Sequence, residues 1–149
     1  MQVLSMNISG IPLWKLMMAA GFLLPAVITD IREKKIILIP CLCGILTGLV
    51  SGALSDGGFL SACLGLIPGA LLIVLSVVLK GTIGTGDGII LAMIGSFVGF
   101  TRAVAVLFMA LAVSMTVALI LLAIKKVSGK TEFPFVPFLC IGYMIMAFI

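Results

Sequence analysis

The chain has 149 residues, of which 63% are hydrophobic and only 9% charged, with a net charge of +4 and a mean hydropathy of +1.46. A soluble domain charges about a quarter of its residues, so this composition excludes a water-soluble fold and points to a bilayer. The basic residues form no stripe interleaved with aromatics, which excludes a nucleic-acid partner.

No linker, low-complexity stretch or composition shift divides the chain, so residues 1–149 are expected to form one membrane-embedded domain. Residues Met1 to Gly10 contain no Lys or Arg. The charged start of a removable signal peptide is therefore missing, and the first apolar run is expected to be a permanent helix.

An α-helix needs about 20 apolar residues to cross the hydrocarbon core, and six candidate spans follow in chain order. The first runs from about Ile11 to Ile31, with Lys15 expected to snorkel outward. The second is Ile36 to Leu54, closed by the turn-forming Ser55-Asp56-Gly57-Gly58, and the third is Phe59 to Leu79. A glycine-rich segment, Gly81 to Gly88, leads into a short fourth run ending near Phe100. The fifth is Ala103 to Ile124 and the sixth, also short, Phe133 to Ile149. Spanning β-barrels need segments that alternate apolar and polar residues, whereas these runs are apolar on every side. The expected fold class is all-α, a polytopic membrane helical bundle of about six transmembrane helices embedded in lipid.

Orientation is read from Lys and Arg in short loops. Arg32, Lys34 and Lys35 follow span one, Lys80 follows span three, and Lys125, Lys126 and Lys130 follow span five. Only Lys15 and Arg102 lie on the other side. The asymmetry places loops one, three and five in the cytoplasm and both termini outside.

Cys41, Cys43, Cys63 and Cys140 all fall in apolar runs, with no Cys-x-x-Cys pair and no histidine in the chain. A zinc site needs such ligands at characteristic spacing, so no metal and no cofactor is expected, and the thiols are expected to be small hydrophobes in helices.

Two acidic residues stand out. Asp30 closes span one, and Asp87 opens span four within Gly84-Thr85-Gly86-Asp87-Gly88. The charge rule uses neither residue, yet it brings both to the cytoplasmic edge at similar depth. A single aspartate at a helix end is commonly a cap, and Gly-x-Gly-Asp arises easily in a chain with 17 glycines. Asp56, in its Ser-Asp-Gly-Gly turn on the opposite side, is the ordinary case and carries no expected chemistry. Asp30 and Asp87 differ from it in sharing a side and a depth, and ionisable residues beside spans are functional candidates.

Two neighbouring carboxylates cannot both ionise cheaply and so share a proton. The ionised member can take a proton from an attacking water while the protonated one hydrogen-bonds the carbonyl oxygen, which is the chemistry of amide hydrolysis. Gly84 and Gly86 are expected to supply an active-site loop in which positive φ and the lack of side chains let an extended substrate approach Asp87.

The chain resembles the type IV prepilin peptidases, six-span membrane aspartic peptidases with a Gly-x-Gly-Asp motif that also include archaeal preflagellin peptidases. Three stretches carry the likeness: Thr29-Asp30-Ile31-Arg32 with basic residues and Ile36 behind it; Gly84-Thr85-Gly86-Asp87 running into Ile94-Gly95-Ser96-Phe97-Val98-Gly99; and Phe133-Pro134-Phe135-Val136-Pro137-Phe138-Leu139. The resemblance implies that Asp30 and Asp87 are the catalytic pair. It also implies that the partner is a prepilin or pseudopilin precursor, cut at the cytoplasmic face of a prokaryotic plasma membrane after a short basic leader ending in a small residue.

The chain departs from the family pattern in places. Ile36 is followed by Ile37-Leu38 rather than Pro-Asn, and Ile89 stands where many members carry Lys. Only residues 32–35 separate Ile31 from Ile36, which leaves no room for the Cys-x-x-Cys insert of the methylating members. A peptidase without N-methyltransferase activity is expected. Presenilin-type proteases share Gly-x-Gly-Asp but resemble nine-span chains with Tyr-Asp as their first motif. The same residues would also suit a small ion-coupled transporter or channel with the aspartates as proton carriers. A non-catalytic assembly subunit would instead use the glycines for close helix packing.

Overall fold

The apolar runs become six helices in a computed structural model, which describes residues 7–8, 11–33, 38–54, 58–79, 84–124 and 135–148. In chain order these are α1 (Leu13–Glu33), α2 (Leu38–Ala53), α3 (Gly58–Val78), α4 (Thr85–Val98), α5 (Phe100–Ala123) and α6 (Val136–Phe148). Before them, β1 (Asn7–Ile8) and β2 (Ile11–Pro12) form a short antiparallel pair with Ile8 opposite Ile11. The first run was expected to be helical from Ile11; the strand takes its first two residues, and Ile11 is buried against the core.

Three helices, α1, α3 and α5, are long and apolar enough to cross a membrane, and the other three are shorter apolar helices. At 1.5 Å per residue α5 extends about 36 Å and α4 only about 21 Å, against a hydrocarbon core of about 30 Å. The all-α expectation holds, and the fourth and sixth helices are short as anticipated. The second is short as well, with 16 residues.

Five helices surround the sixth. Contacts run from α1 to α2, α2 to α3, α3 to α5, α5 to α6 and α6 back to α1, and α4 touches all five. Burial follows this plan. In α4 every residue from Ile90 to Val98 is buried. In α5 only Ala103, Val106 and Ala110 are, while Phe108, Met115, Leu119 and Ile120 face outward, as lipid-facing residues do. Apolar composition is the same on both faces because lipid is as apolar as the core.

Small residues set how closely the helices approach. The buried faces of α2 and α3 are Cys41, Gly44, Gly48, Ser51 and Gly52, and Ala62, Gly65, Pro68, Gly69 and Ser76. Gly65 meets the backbone of Gly95 with no space for a methyl group on either side, and Gly69 presses on Gly88 and Ala92. Association in lipid rests on packing and hydrogen bonds, and such contacts let backbones touch over a long ridge.

Between α4 and α5 the chain turns on a single residue. Gly99 has φ 84°, its N–H donates to Gly95 O at 2.8 Å, and its carbonyl accepts from Ala103 at 3.0 Å. It therefore ends one helix and begins the next, a left-handed position suited to glycine. Arg102, expected in a loop, is in the first turn of α5. Lys15 also differs from expectation: it is buried, 7% exposed, with Nζ 5.5 Å from the centre of the Trp14 ring. The aromatic face attracts the ammonium group and holds it inward. Near the same end, Tyr143 Oη donates a buried hydrogen bond to Leu16 O at 2.7 Å, joining α6 to α1.

Candidate functional site

Asp30 stands in the last turn of α1 and Asp87 in the first turn of α4. The fold brings these two turns to the same end of the bundle, near enough for the charge of Asp30 to act on Asp87.

Asp30 is 8% exposed. Helix α6, which begins at Val136, packs against α1, and in its first turn Phe138 and Leu139 donate to Phe135 O at 3.0 and 3.2 Å. Oδ2 of Asp30 is buried and, among the described residues, has no hydrogen-bond partner. Thr29 does not join the site, because its hydroxyl donates to Pro25 O and Ala26 O, both at 3.0 Å.

Asp87 is partly exposed. Its N–H donates to Gly84 O at 3.2 Å, and Gly84 is the residue before the helix, with φ −64° and ψ 122°. An acidic residue three positions into a helix is ordinary by itself, since it suits the positive end. A second carboxylate across from it is not.

The expected role of the glycines needs correction. Gly84 has negative φ, and Gly99 is the residue with positive φ among the described glycines. What Gly84 supplies is space: a Cβ there would lie 3.0 Å from Asp87 Oδ2. Gly86 lies within the first turn of α4 rather than in a loop. Gly88 is the glycine that sequence reasoning missed. A methyl group on it would lie 2.6 Å from Ile73 and 2.9 Å from Gly69 O, so its bareness lets α3 seat the start of α4. Ile89 packs against the core.

Cys41 is buried, Cys43 exposed, and Cys63 and Cys140 in between, all as free thiols. Among the described residues no group of His, Cys, Asp and Glu is arranged to hold a metal ion. Asp56, Lys34, Lys35, Lys80, Lys125, Lys126, Lys130, Phe133 and Pro134 lie outside the described residues, as does the side chain of Arg32.

An apolar helical bundle with three helices long and apolar enough to cross a membrane defines the class, a helical membrane protein. The model of the type IV leader peptidase family matches residues 17–123, most of the chain, and the chain belongs to that family. It is therefore a protease of the leader-peptidase kind. The matched stretch includes Asp30, Gly84, Gly86 and Asp87 and stops at the end of α5, short of Val136 and α6. No curated protein and no solved structure matches the chain.

Proposed function

We propose that this protein is an aspartic endopeptidase that removes the leader of type IV prepilin-like or pseudopilin precursors at the cytoplasmic face of the plasma membrane, with Asp30 and Asp87 as its catalytic pair. The observation that supports this reading is the leader peptidase family match over residues 17–123, which includes both aspartates, one in the last turn of α1 and one in the first turn of α4, two helices in contact. Placing two carboxylates together is unfavourable unless they share a proton, and a shared proton is what water-activated amide hydrolysis uses.

In the proposed cycle one carboxylate accepts a proton from water as its oxygen attacks the scissile carbonyl. The other donates a hydrogen bond to the carbonyl oxygen as it gains negative charge, and the pair then returns a proton to the leaving amine. Gly84 leaves room for an extended leader beside Asp87. The bundle end provides water that a midplane site would lack. A transporter would need a polar path through the bundle, whereas Ile90, Leu91, Met93 and Ile94 fill the interior beyond Asp87.

The test is co-expression with a prepilin-like precursor, following leader removal by gel shift for wild type, Asp30→Asn and Asp87→Asn. Both variants are expected to leave the precursor uncut while remaining in the membrane. Normal processing in either one rules out the paired mechanism. The mature product is expected to carry an unmethylated N-terminus by mass spectrometry.

A further inference from the structure

We infer that the groove where α3 meets the α4–α5 turn binds an anionic phospholipid, with its phosphate on Arg102, Ser61 and Thr101 and an acyl chain along α3. Asp87 is in the first turn of α4 and Gly99 follows its last residue, so the length of α4 separates this groove from the aspartates. The inference is independent of the catalytic reading.

The groove measures about 760 Å³, within the range of about 300–1,000 Å³ that ligand sites occupy. One wall is α3, which supplies Leu60, Leu64 and Ile67. Their spacing puts them on one line of the helix, descending about 10 Å from its start. The other wall is the corner between α4 and α5, where Gly99 turns the chain and Phe100 opens α5. Leu60, Leu64, Ile67 and Phe100 are all exposed. In an apolar bundle such a line faces hydrocarbon, and it suits an acyl chain.

Polar groups gather at one end of this line. Ser61 is in the first turn of α3, Thr101 and Arg102 are in the first turn of α5, and all three line the groove. Gly99 lets the two turns close on each other, since a Cβ there would lie 2.5 Å from Ser61 Oγ. Arg102 is half-buried, and Ser61 and Thr101 are exposed.

This grouping favours a phosphate. A guanidinium presents five N–H donors in a fork that matches phosphate oxygens, so it can hold a phosphate together with a partner inside the protein. The two hydroxyls add donors, and the positive ends of α3 and α5 add to the charge. Among the described residues lining the groove none is acidic. Charge alone would suit a free anion, and the apolar line alone would suit any lipid. Together they select a phospholipid whose headgroup is net negative, because a zwitterionic headgroup would bring its own cation against Arg102.

The test uses the whole chain purified in a mild non-ionic detergent. Native mass spectrometry counts bound lipid, and thermal unfolding reports stabilisation. The probes are phosphatidylglycerol, phosphatidylcholine and inorganic phosphate. One phosphatidylglycerol is expected to bind about tenfold more tightly than phosphatidylcholine and to raise the unfolding midpoint, and phosphate alone is expected to leave the midpoint in place.

Arg102→Gln is expected to weaken phosphatidylglycerol binding about tenfold, the scale of one lost hydrogen bond to a charged group. Leu64→Trp, at an exposed position, fills the groove without changing charge and is expected to weaken it as well. Lys125→Gln removes the same charge elsewhere in the chain and is expected to leave the tight site intact. Equal binding of the two lipids, or stabilisation by phosphate alone, overturns the inference. So does wild-type affinity in Arg102→Gln or Leu64→Trp, or an equal loss in Lys125→Gln. A dimer that Leu64→Trp abolishes would give the groove to a second copy of the chain and overturn it too. If Arg102→Gln fails to fold, Leu64→Trp and the three probes on the wild type decide the matter.

Discussion

Gly65 of α3 and Gly95 of α4 meet backbone to backbone, each occupying the place where the other's side chain would stand. The contact belongs to a ridge that continues through Gly69 to Gly88, one residue from Asp87. The depth of that carboxylate is therefore set by how closely two helices approach along their length.

Gly65→Ala or Gly95→Ala would force this ridge apart. Overpacking of this kind costs about 1–3 kcal/mol, and thermal unfolding in detergent should show it as a lowered midpoint. Gly21→Ala is the control, since nothing lies within 4 Å of the methyl group it adds. That variant should be neutral or gain up to about 1 kcal/mol through helix propensity.

Gly84→Ala separates space from fold. The backbone there, φ −64° and ψ 122°, accommodates alanine, so stability should be unchanged. The new methyl group would lie 3.0 Å from Asp87 Oδ2. Displacing the proposed catalytic carboxylate by a fraction of an ångström should slow leader cleavage about tenfold or more, measured as initial rates beside a melting curve that does not move.

In the proposed mechanism the pair holds one proton, so it works only between two limits. When pH falls far enough to protonate both Asp30 and Asp87, no base remains to receive the proton of water. When pH rises far enough to ionise both, no acid remains for the carbonyl oxygen. Cleavage rate against pH should therefore be bell-shaped, and its two limbs belong to the pair rather than to either residue. A profile with a single limb would contradict the shared-proton mechanism.

Tyr143→Phe removes the hydroxyl that donates to Leu16 O at 2.7 Å. The expected cost is about 1 kcal/mol of stability. Because this contact lies at the end of the bundle away from Asp30, the cleavage rate of the folded protein should stay close to wild type.

Much of this arrangement is legible in the sequence alone. Long apolar runs name the helices, and charge placement puts Asp30 and Asp87 on one side without using either residue. The central place of α4 is not legible, because a residue facing lipid and a residue facing protein are equally apolar. A faint signal exists in the four-residue spacing of Gly44, Gly48 and Gly52, and of Gly65 and Gly69. Such spacing lines one face of a helix with backbone, as membrane helix contacts prefer.

The ring of α1, α2, α3, α5 and α6 around α4 has a consequence for traffic through the site. Each neighbouring pair in that ring is in contact, and the α1–α6 seam is fastened by the hydrogen bond from Tyr143 to Leu16 O. In the proposed reaction, a precursor whose apolar helix lies in the bilayer outside that ring would need to bring only its leader junction to Asp30 and Asp87.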